Sequence, residues 1–530
     1  MLGGLRDPRL FALGGAAVWA AVWIERPPLG PAAAWLPWLG WACLSALVSP
    51  QPWAGLPVLA RWSAVLAFAS LAAAWTHAER RAWLRAVLAA AVVLGAAAVV
   101  TGARRGFGSE MTGLLPPHYN YTAFVLACAG AAAAAWGLHP AAMGGRRAAL
   151  AGAVLAAVLL ILARSRGGLL GLGAAAVVWS MRKWGARALA GLLAAAAVAA
   201  VLVLGVGPLR TALTKGARPR GEARPAIWSS AASMASESPW FGEGPGNFLV
   251  GFRRRPVEAP NAPARWGLTT PYAHSEPLQA AGETGWVGAV LWLWGFLSVL
   301  ACLPGGAAAQ PEREAAVAAV AAGVPLLLVD NMLQIPALAM LWLSAAACGG
   351  LRPAPRRPWP RAAAAAGAFL ALAAWIPGAL ARANPSRAAA LFPADSGPRE
   401  DLAWRAEVRG DAALAERLWS EAERLAPFDA IYPWRRAVLA ARAGRWSEAE
   451  SRAGRAIDLE PRFLRARALR ALALAREGRR AEAGVEAGTV RAFLGVGPTL
   501  AGDGYEGTVH GFDGPSRRLL IEAEELARAR

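Results

Sequence analysis

The chain has 530 residues, 56% of them hydrophobic, with a formal net charge of +20 and a mean hydropathy of +0.36. That is too apolar for a soluble globular domain, and the apolar residues gather into runs of membrane-spanning length. In such a chain the arginine excess points to anionic lipid, lipid phosphate and topology; no basic nucleic-acid motif is present, and no nucleic-acid partner is expected.

Apolar runs fall at 10–24, 33–48, 55–75, 83–101, 121–138, 147–163, 167–181, 185–206, 278–303, 314–330, 332–350 and 361–380. Each is close to the roughly 20 residues a bilayer requires. The expected fold class is therefore all-α: a polytopic helical membrane domain of about 12 spans over residues 1–381, followed by a soluble α-solenoid. The first run is followed by more apolar runs rather than by a cleavage site and a soluble domain, so it is expected to stay as a span. Cys43, Cys128, Cys302 and Cys348 all lie in apolar runs and read as small lipid- or core-facing residues, not as a disulfide or metal framework.

Basic residues alternate between two sets of loops. Arg80, Arg81 and Arg85, then Arg146 and Arg147, then Arg182, Lys183 and Arg187, then Arg313, then Arg352, Arg356, Arg357 and Arg361 fall on one set. The other set of short loops carries Arg104, Arg105, Arg164 and Arg166. The positive-inside rule makes the first set cytoplasmic, which puts Arg166, the long segment 207–273, His274 and the C-terminal region on the far side. Parity then leaves the N-terminus outside despite Arg6 and Arg9, in conflict with the same rule.

Segment 207–273 is the large extracytoplasmic loop, with nine cations against four anions and prolines throughout. Pro225 to Ser236 suits a short helix starting just after Arg224, whereas Phe241-Gly-Glu-Gly-Pro-Gly-Asn-Phe248 is too glycine-rich for regular structure. Its glycines either let backbone amides approach a ligand or only make turns.

Beyond about residue 381 the composition turns to arginine, glutamate and alanine at helical periodicity. Gly410, Gly444 and Gly478 are 34 residues apart, as are Ala415, Ala449 and Ala483, and Pro427 and Pro461. That period resembles tetratricopeptide repeats, helix pairs that stack into a superhelix. Three repeats fit 396–497, with a capping tail over 498–530 that includes a helical Arg517–Arg530. Such arrays either bind a protein partner or act as a structural cap.

The candidate chemistry lies at the outer membrane face. His274 precedes a helix whose start suits Ser275 as N-cap and Pro277 in the first turn. The helix dipole and nearby arginines favour a neutral imidazole able to accept a proton; the alternative is an interfacial histidine that anchors the helix. Arg166, in Ser165-Arg166-Gly167-Gly168, and Arg224 are suited to neutralise a diphosphate, or else act as topology determinants. The glycines after Arg166 leave room for something to approach it. Asp330-Asn331 is a polar feature at membrane depth that either orients a site residue or caps a helix. No metal-ligand cluster is evident, so neither metal nor cofactor is expected and phosphate falls to arginine.

The pattern His274-Ser-x-x-Leu278-x-x-x-x-Glu283-x-Gly285-x-x-Gly288 resembles the signature closing the large periplasmic loop of the O-antigen ligase and polymerase family. Three further features agree in order: Ser165-Arg166-Gly167, then Arg224-x-x-x-Trp228 followed by Pro239-x-x-Gly242-x-Gly244-x-Gly246-x-Phe248, and finally Asp330 with Pro336. The resemblance covers about residues 50–350. It implies a metal-independent glycosyltransferase of the bacterial inner membrane that moves a glycan from undecaprenyl pyrophosphate to an acceptor hydroxyl, as in lipopolysaccharide and cell-envelope polysaccharide biosynthesis. His274 is then the expected base, Arg166 and Arg224 hold the pyrophosphate, and Ser165, Glu283 and Asp330 join the substrate site. Ser275 replaces the asparagine common at that place. The acceptor stays open between lipid, growing glycan and protein. A protein acceptor presented by the repeats would make the chain an O-oligosaccharyltransferase, and a non-catalytic scaffold for envelope assembly is a separate alternative.

Overall fold

The computed structural model describes residues 8–105, 111, 113–115, 119–142, 145–185, 191, 224–255, 270–301, 303, 310–349, 358–496, 508–509 and 511–528. Among these, regular structure is helical apart from an isolated bridge between Pro28 and Pro358. The expected span 185–206 and the flanks of the large loop fall mostly outside the described residues, as does Cys302. Two compact units form: Met1–Arg218 with Met234–Gly246 and Tyr272–Trp375, and Pro219–Ser233 with Asn247–Pro271 and Ile376–Arg530.

In the first unit the apolar runs become α1 (Pro8–Glu25), α2 (Leu36–Val48), α3 (Pro52–Ala74), α4 (His77–Arg105), α5 (Tyr119–Leu138), α6 (Arg146–Leu162) and α7 (Arg166–Trp184). After α8 (Arg224–Glu237) and α9 (Phe248–Arg254) come α10 (Glu276–Leu300), α11 (Pro311–Val329), α12 (Pro336–Cys348) and α13 (Arg361–Ala373). Proline stands in the first turn of α2, α3, α10, α11 and α12, where its missing N–H has no intrahelical partner anyway. Among the described residues five helices are long and apolar enough to cross a membrane: Pro52–Ala74, His77–Arg104, Tyr119–Leu138, Glu276–Leu300 and Arg361–Ala383. The expected span 33–48 is shortened because Gly30–Ala34 forms a separate 3₁₀ turn ahead of α2.

Helix α5 is buried along most of its length and packs on α4, α6, α7 and α11. A tryptophan cluster forms a second focus: Trp35 stacks on Trp62 at 5.2 Å and meets Trp292 edge-on at 5.7 Å. Trp35 takes the space a side chain would need at Gly295. Cys128 and Cys348 are buried and Cys43 exposed, matching their reading as small packing or outward-facing residues.

Ion pairs collect at one end of these helices. Arg81 pairs with Glu312, Arg182 bonds Glu314 at 2.8 Å and the Leu303 carbonyl at 2.8 Å, and Arg313 donates to the Gly349 carbonyl at 2.8 Å. Arg81, Arg182 and Arg313 thus share an end, as the alternation of basic loops requires. The starts of α5, α7, α10 and α12 lie at the other.

In the second unit α14 (Ile376–Ala383) and α15 (Pro385–Leu391) lead into three helical hairpins. These are α16 (Gly397–Val408) with α17 (Ala412–Leu425), α18 (Ile431–Arg442) with α19 (Trp446–Leu459), and α20 (Leu464–Arg476) with α21 (Arg480–Val496). The 34-residue glycine period has a direct cause. Gly410, Gly444 and Gly478 follow the first helix of each hairpin at φ +80°, +73° and +80°. Each donates to the carbonyl three residues back, and the following amide donates to that five back. This double bond satisfies the last helical carbonyls only with a left-handed residue at the turn. Ala415, Ala449 and Ala483 are fully buried where the helices meet. A final helix, α22 (Gly514–Arg528), packs on α20 and α21 through Leu520 and Ala523.

The same unit holds a polar cluster. Arg253 of α9 pairs with Asp429 at 2.9 Å, Arg254 lies 5.0 Å over the Phe428 ring, and the Tyr432 hydroxyl donates to Glu400 at 3.1 Å. Burial, and then the nearby Asp429 charge, push the Glu400 carboxyl above its ordinary range. A raised folded value means that this stabilisation is fully present below the unfolded value near ~4 and is lost as pH rises through the folded value. Glu400→Gln, which resembles the protonated acid, is expected to raise the thermal midpoint of the second unit at pH 8 more than at pH 4. Equal shifts at both pH values, read by scanning calorimetry, would remove the burial argument.

Candidate active site

The signature helix α10 is broken in its middle. Gly285 has φ +70° and ψ 179°, outside the helical region, so the helix bends there and releases carbonyls on its first half. The glycine loop after α8 occupies them: Glu243 N–H donates to Gly282 O at 3.0 Å and Gly244 N–H to Glu283 O at 2.8 Å. Trp286 N–H donates back to Pro239 O at 2.8 Å. From α2, Ser45 Oγ donates to Phe241 O at 2.6 Å and to Glu283 O at 3.1 Å, and Trp41 stacks on Phe241 at 5.0 Å. The glycine-rich stretch is turn structure, as its composition predicts, and α8 includes the expected helical residues Pro225 to Ser236. The backbone approach its glycines allow is to protein: the bent helix at Gly242 and the Ala54 backbone of α3 at Gly246. A Cβ at Gly242 would sit 2.6 Å from the Glu283 carbonyl carbon.

This docking fixes the start of α10, where His274 lies. His274 has φ +51°, a left-handed conformation rare for a residue with a side chain, costing about 1–3 kcal/mol. Its Nδ1 lies 3.0 Å from Asp330 Oδ1, and its side chain is 27% exposed against 3% for Asp330. Asp330 follows the last turn of α11 in extended backbone. Its carboxylate also accepts the Asn331 N–H at 2.9 Å and Asn120 Nδ2–H at 2.6 Å. Asn120 in turn accepts from Ser165 Oγ at 3.4 Å. Of the two roles open to Asp330, orienting a neighbour is the one its bonds describe. A carboxylate against Nδ1 favours the tautomer that carries its proton on that nitrogen.

Three side chains of the motifs, and the glycines after Arg166, make contacts within the protein. Ser275 occupies the N-cap position of α10 but makes no side-chain cap bond; separately, Gln279 ties the preceding loop to the helix, accepting the Ala273 N–H at 2.6 Å. Ser165 caps α7, accepting the Gly168 N–H at 3.2 Å. Glu283 is buried, and its carboxylate takes Gln279 Nε2–H at 2.8 Å and Gly246 N–H at 3.0 Å, so it holds the glycine loop to the helix. The glycines after Arg166 admit protein. A Cβ at Gly168 would lie 2.5 Å from Leu160, one at Gly167 would lie 3.3 Å from Leu326 of α11, and Gly171 faces the Ala322 backbone.

Arg166 is exposed at the first position of α7, the helix that Ser165 caps. Arg224 belongs to the second unit, at the start of α8. The Ser165 end of α7 is thus tied to the His274–Asp330 pair through Asn120.

Sequence reasoning passed over Asn120, Glu276, Gln279, Gln334 and Arg61. Arg61 had a signal: it is a single cation inside the apolar run 55–75, costly at membrane depth without partners. Its Nη2 donates to Gln334 Oε1 at 2.5 Å and its Nη1 to Gln334 O at 3.1 Å. No group of three or more metal-binding side chains occurs among the described residues.

A family model described as O-antigen ligase matches residues 151–293, a narrower stretch than the resemblance read from the motifs. It includes Ser165, Arg166, Arg224, His274 and Glu283 and stops short of Asp330. The match supports the O-antigen ligase family and a lipid-linked glycan ligase or polymerase function for this chain. No curated protein matches it.

Proposed function

We propose that the chain is a multi-pass glycosyltransferase of the bacterial inner membrane, with about 12 spans. The end carrying Arg81, Arg182 and Arg313 faces the cytoplasm, and His274 faces the periplasm. The reaction moves a glycan from undecaprenyl pyrophosphate to an acceptor hydroxyl. The single observation that carries this reading is the His274–Asp330 pair, a half-exposed imidazole in a strained backbone with its Nδ1 against a buried carboxylate.

In the proposed step, His274 Nε2 takes the proton of the acceptor hydroxyl as its oxygen bonds the anomeric carbon. The bond from that carbon to the pyrophosphate oxygen breaks, and its electrons leave with the lipid pyrophosphate. Asp330 stabilises the imidazolium that forms. Arg166 and Arg224 hold the pyrophosphate, a role in which an always-charged, two-pronged guanidinium suits the phosphate oxygens. Ser165 contributes by capping the helix that carries Arg166, and Glu283 by seating the glycine loop.

A second reading, transfer to a protein acceptor presented by the hairpin array as tetratricopeptide-like repeats, draws support from α9. This helix comes from the large loop and pairs with Asp429 in the array. Deleting 396–530 separates the readings: loss of a glycosylated protein with normal surface polysaccharide favours the protein acceptor. Loss of polysaccharide favours the lipid or glycan acceptor. If Arg166→Ala, Arg224→Ala and His274→Ala are all silent while the deletion is not, the chain is a scaffold and the transferase reading fails.

A further inference from the structure

The two segments that carry the site pair are joined below it by a second set of bonds. Glu276, two residues after His274, is 1% exposed. Its Oε1 accepts the Leu333 N–H at 2.6 Å and its Oε2 the Gln334 Nε2–H at 3.1 Å. Leu333 and Gln334 lie three and four residues after Asp330. Arg61 of α3 completes the arrangement by gripping both the side-chain and backbone oxygens of Gln334, so that the Gln334 amide can turn only its N–H toward Glu276. Three elements far apart in sequence thus meet at one amide.

A salt bridge alone would hold these charges more simply. Here the Gln334 amide stands between the Arg61 guanidinium and the Glu276 carboxyl, which makes the join directional: each partner fixes a different end of one planar group. A shift of the Asp330–Gln334 segment along α10 would break both Glu276 bonds. The neighbouring Asn331 adds a weak tie to Gln279 at 3.5 Å, too long to hold the register by itself.

We infer that Glu276, Gln334 and Arg61 form a positioning clamp that sets the Asp330 carboxylate against His274 Nδ1. Glu276 acts through the pair and touches no substrate. The inference rests on the proposed role of His274 as base, and its test has one readout that needs no turnover.

The test uses the full-length protein in micelles with ¹⁵N-labelled histidine, His274 being assigned by loss of its signals in His274→Ala. The wild type is expected to show His274 as the Nδ1–H tautomer. Glu276→Gln puts a donor where an acceptor is required and is expected to give mixed tautomers. With lipid-linked glycan from the source bacterium as donor, kcat should fall roughly 10- to 100-fold with KM for the donor unchanged, as for a displaced catalytic group. In an Asp330→Asn background the same change should cost less than about twofold, because the pair is already broken. A wild-type histidine spectrum and rate in Glu276→Gln, or a full further loss in the double variant, would overturn the clamp. Should Glu276→Gln fail to reach the membrane, Arg61→Lys, which keeps the charge and loses the grip on both oxygens, faces the same criteria. Altered tautomers in a protein whose wild type transfers nothing would keep the clamp and refute the transferase.

Discussion

Replacing His274 with alanine is expected to lower glycan transfer by roughly 10²- to 10⁴-fold, the range a positioned general base supplies, while leaving the protein in the membrane. Alanine also relieves a strained backbone poorly. At φ +51° any residue with a Cβ pays a similar backbone cost, and the Asp330 carboxylate keeps its bonds from Asn120 and the Asn331 N–H, so the variant should still fold. The loss therefore belongs to the chemistry. Asp330→Asn probes the same pair from its buried side: an amide placed against Nδ1 permits the wrong tautomer and removes the charge that stabilises the imidazolium. Surface polysaccharide in cells whose only copy is His274→Ala, compared at equal membrane abundance, reads the effect. Normal polysaccharide in those cells would refute the assigned role.

The largest effect on stability is expected at Gly285→Ala. The backbone there, at φ +70° and ψ 179°, lies in a region essentially reserved for glycine, which costs about 1–3 kcal/mol for any other residue. A Cβ would also stand 2.5 Å from Pro239 O and 2.6 Å from the Trp240 carbonyl carbon, both backbone atoms that cannot rotate away. Overpacking of this kind adds about 1–3 kcal/mol. The alternatives are to straighten α10 or to expel the glycine loop, and either breaks the Trp286 N–H to Pro239 O bond and moves the turn that carries His274. A lowered thermal midpoint together with lost transfer is the expected result. Gly145→Asn is the control: Gly145 is also left-handed, at φ +64°, but has nothing within 4 Å of an added Cβ, and asparagine tolerates that conformation. Equal midpoints for Gly285→Ala and wild type would show that the bend is not required.

Much of the helical plan is legible in the sequence because burial in an apolar medium leaves a simple trace, a long run with few charges. The 34-residue spacing is legible for an equally local reason, the need for a left-handed residue after the first helix of each hairpin. The site is legible only in part. His274, Arg166 and Asp330 stand out as polar groups at helix ends, and their motif order carries a resemblance. That His274 and Asp330 touch is a property of two helix ends 56 positions apart, which no periodicity encodes. The same holds for Glu276 and Gln334. The glycines illustrate a different limit: the sequence leaves room for a close approach at Gly242 and Gly168, but does not say whether the visitor is a ligand or another part of the protein. In each case it is protein, and the site gains rigidity in place of a phosphate cradle. Ser275 shows the limit of capping rules, since its position is right yet its side chain makes no cap bond.

The most direct measurement of the central claim is release of undecaprenyl pyrophosphate by the purified full-length protein, supplied with lipid-linked glycan and an envelope-lipid acceptor, in parallel with His274→Ala. The wild type is expected to release it mole for mole with glycosylated acceptor, without added metal, and the variant almost none. Equal release and equal product from both proteins would contradict the central claim.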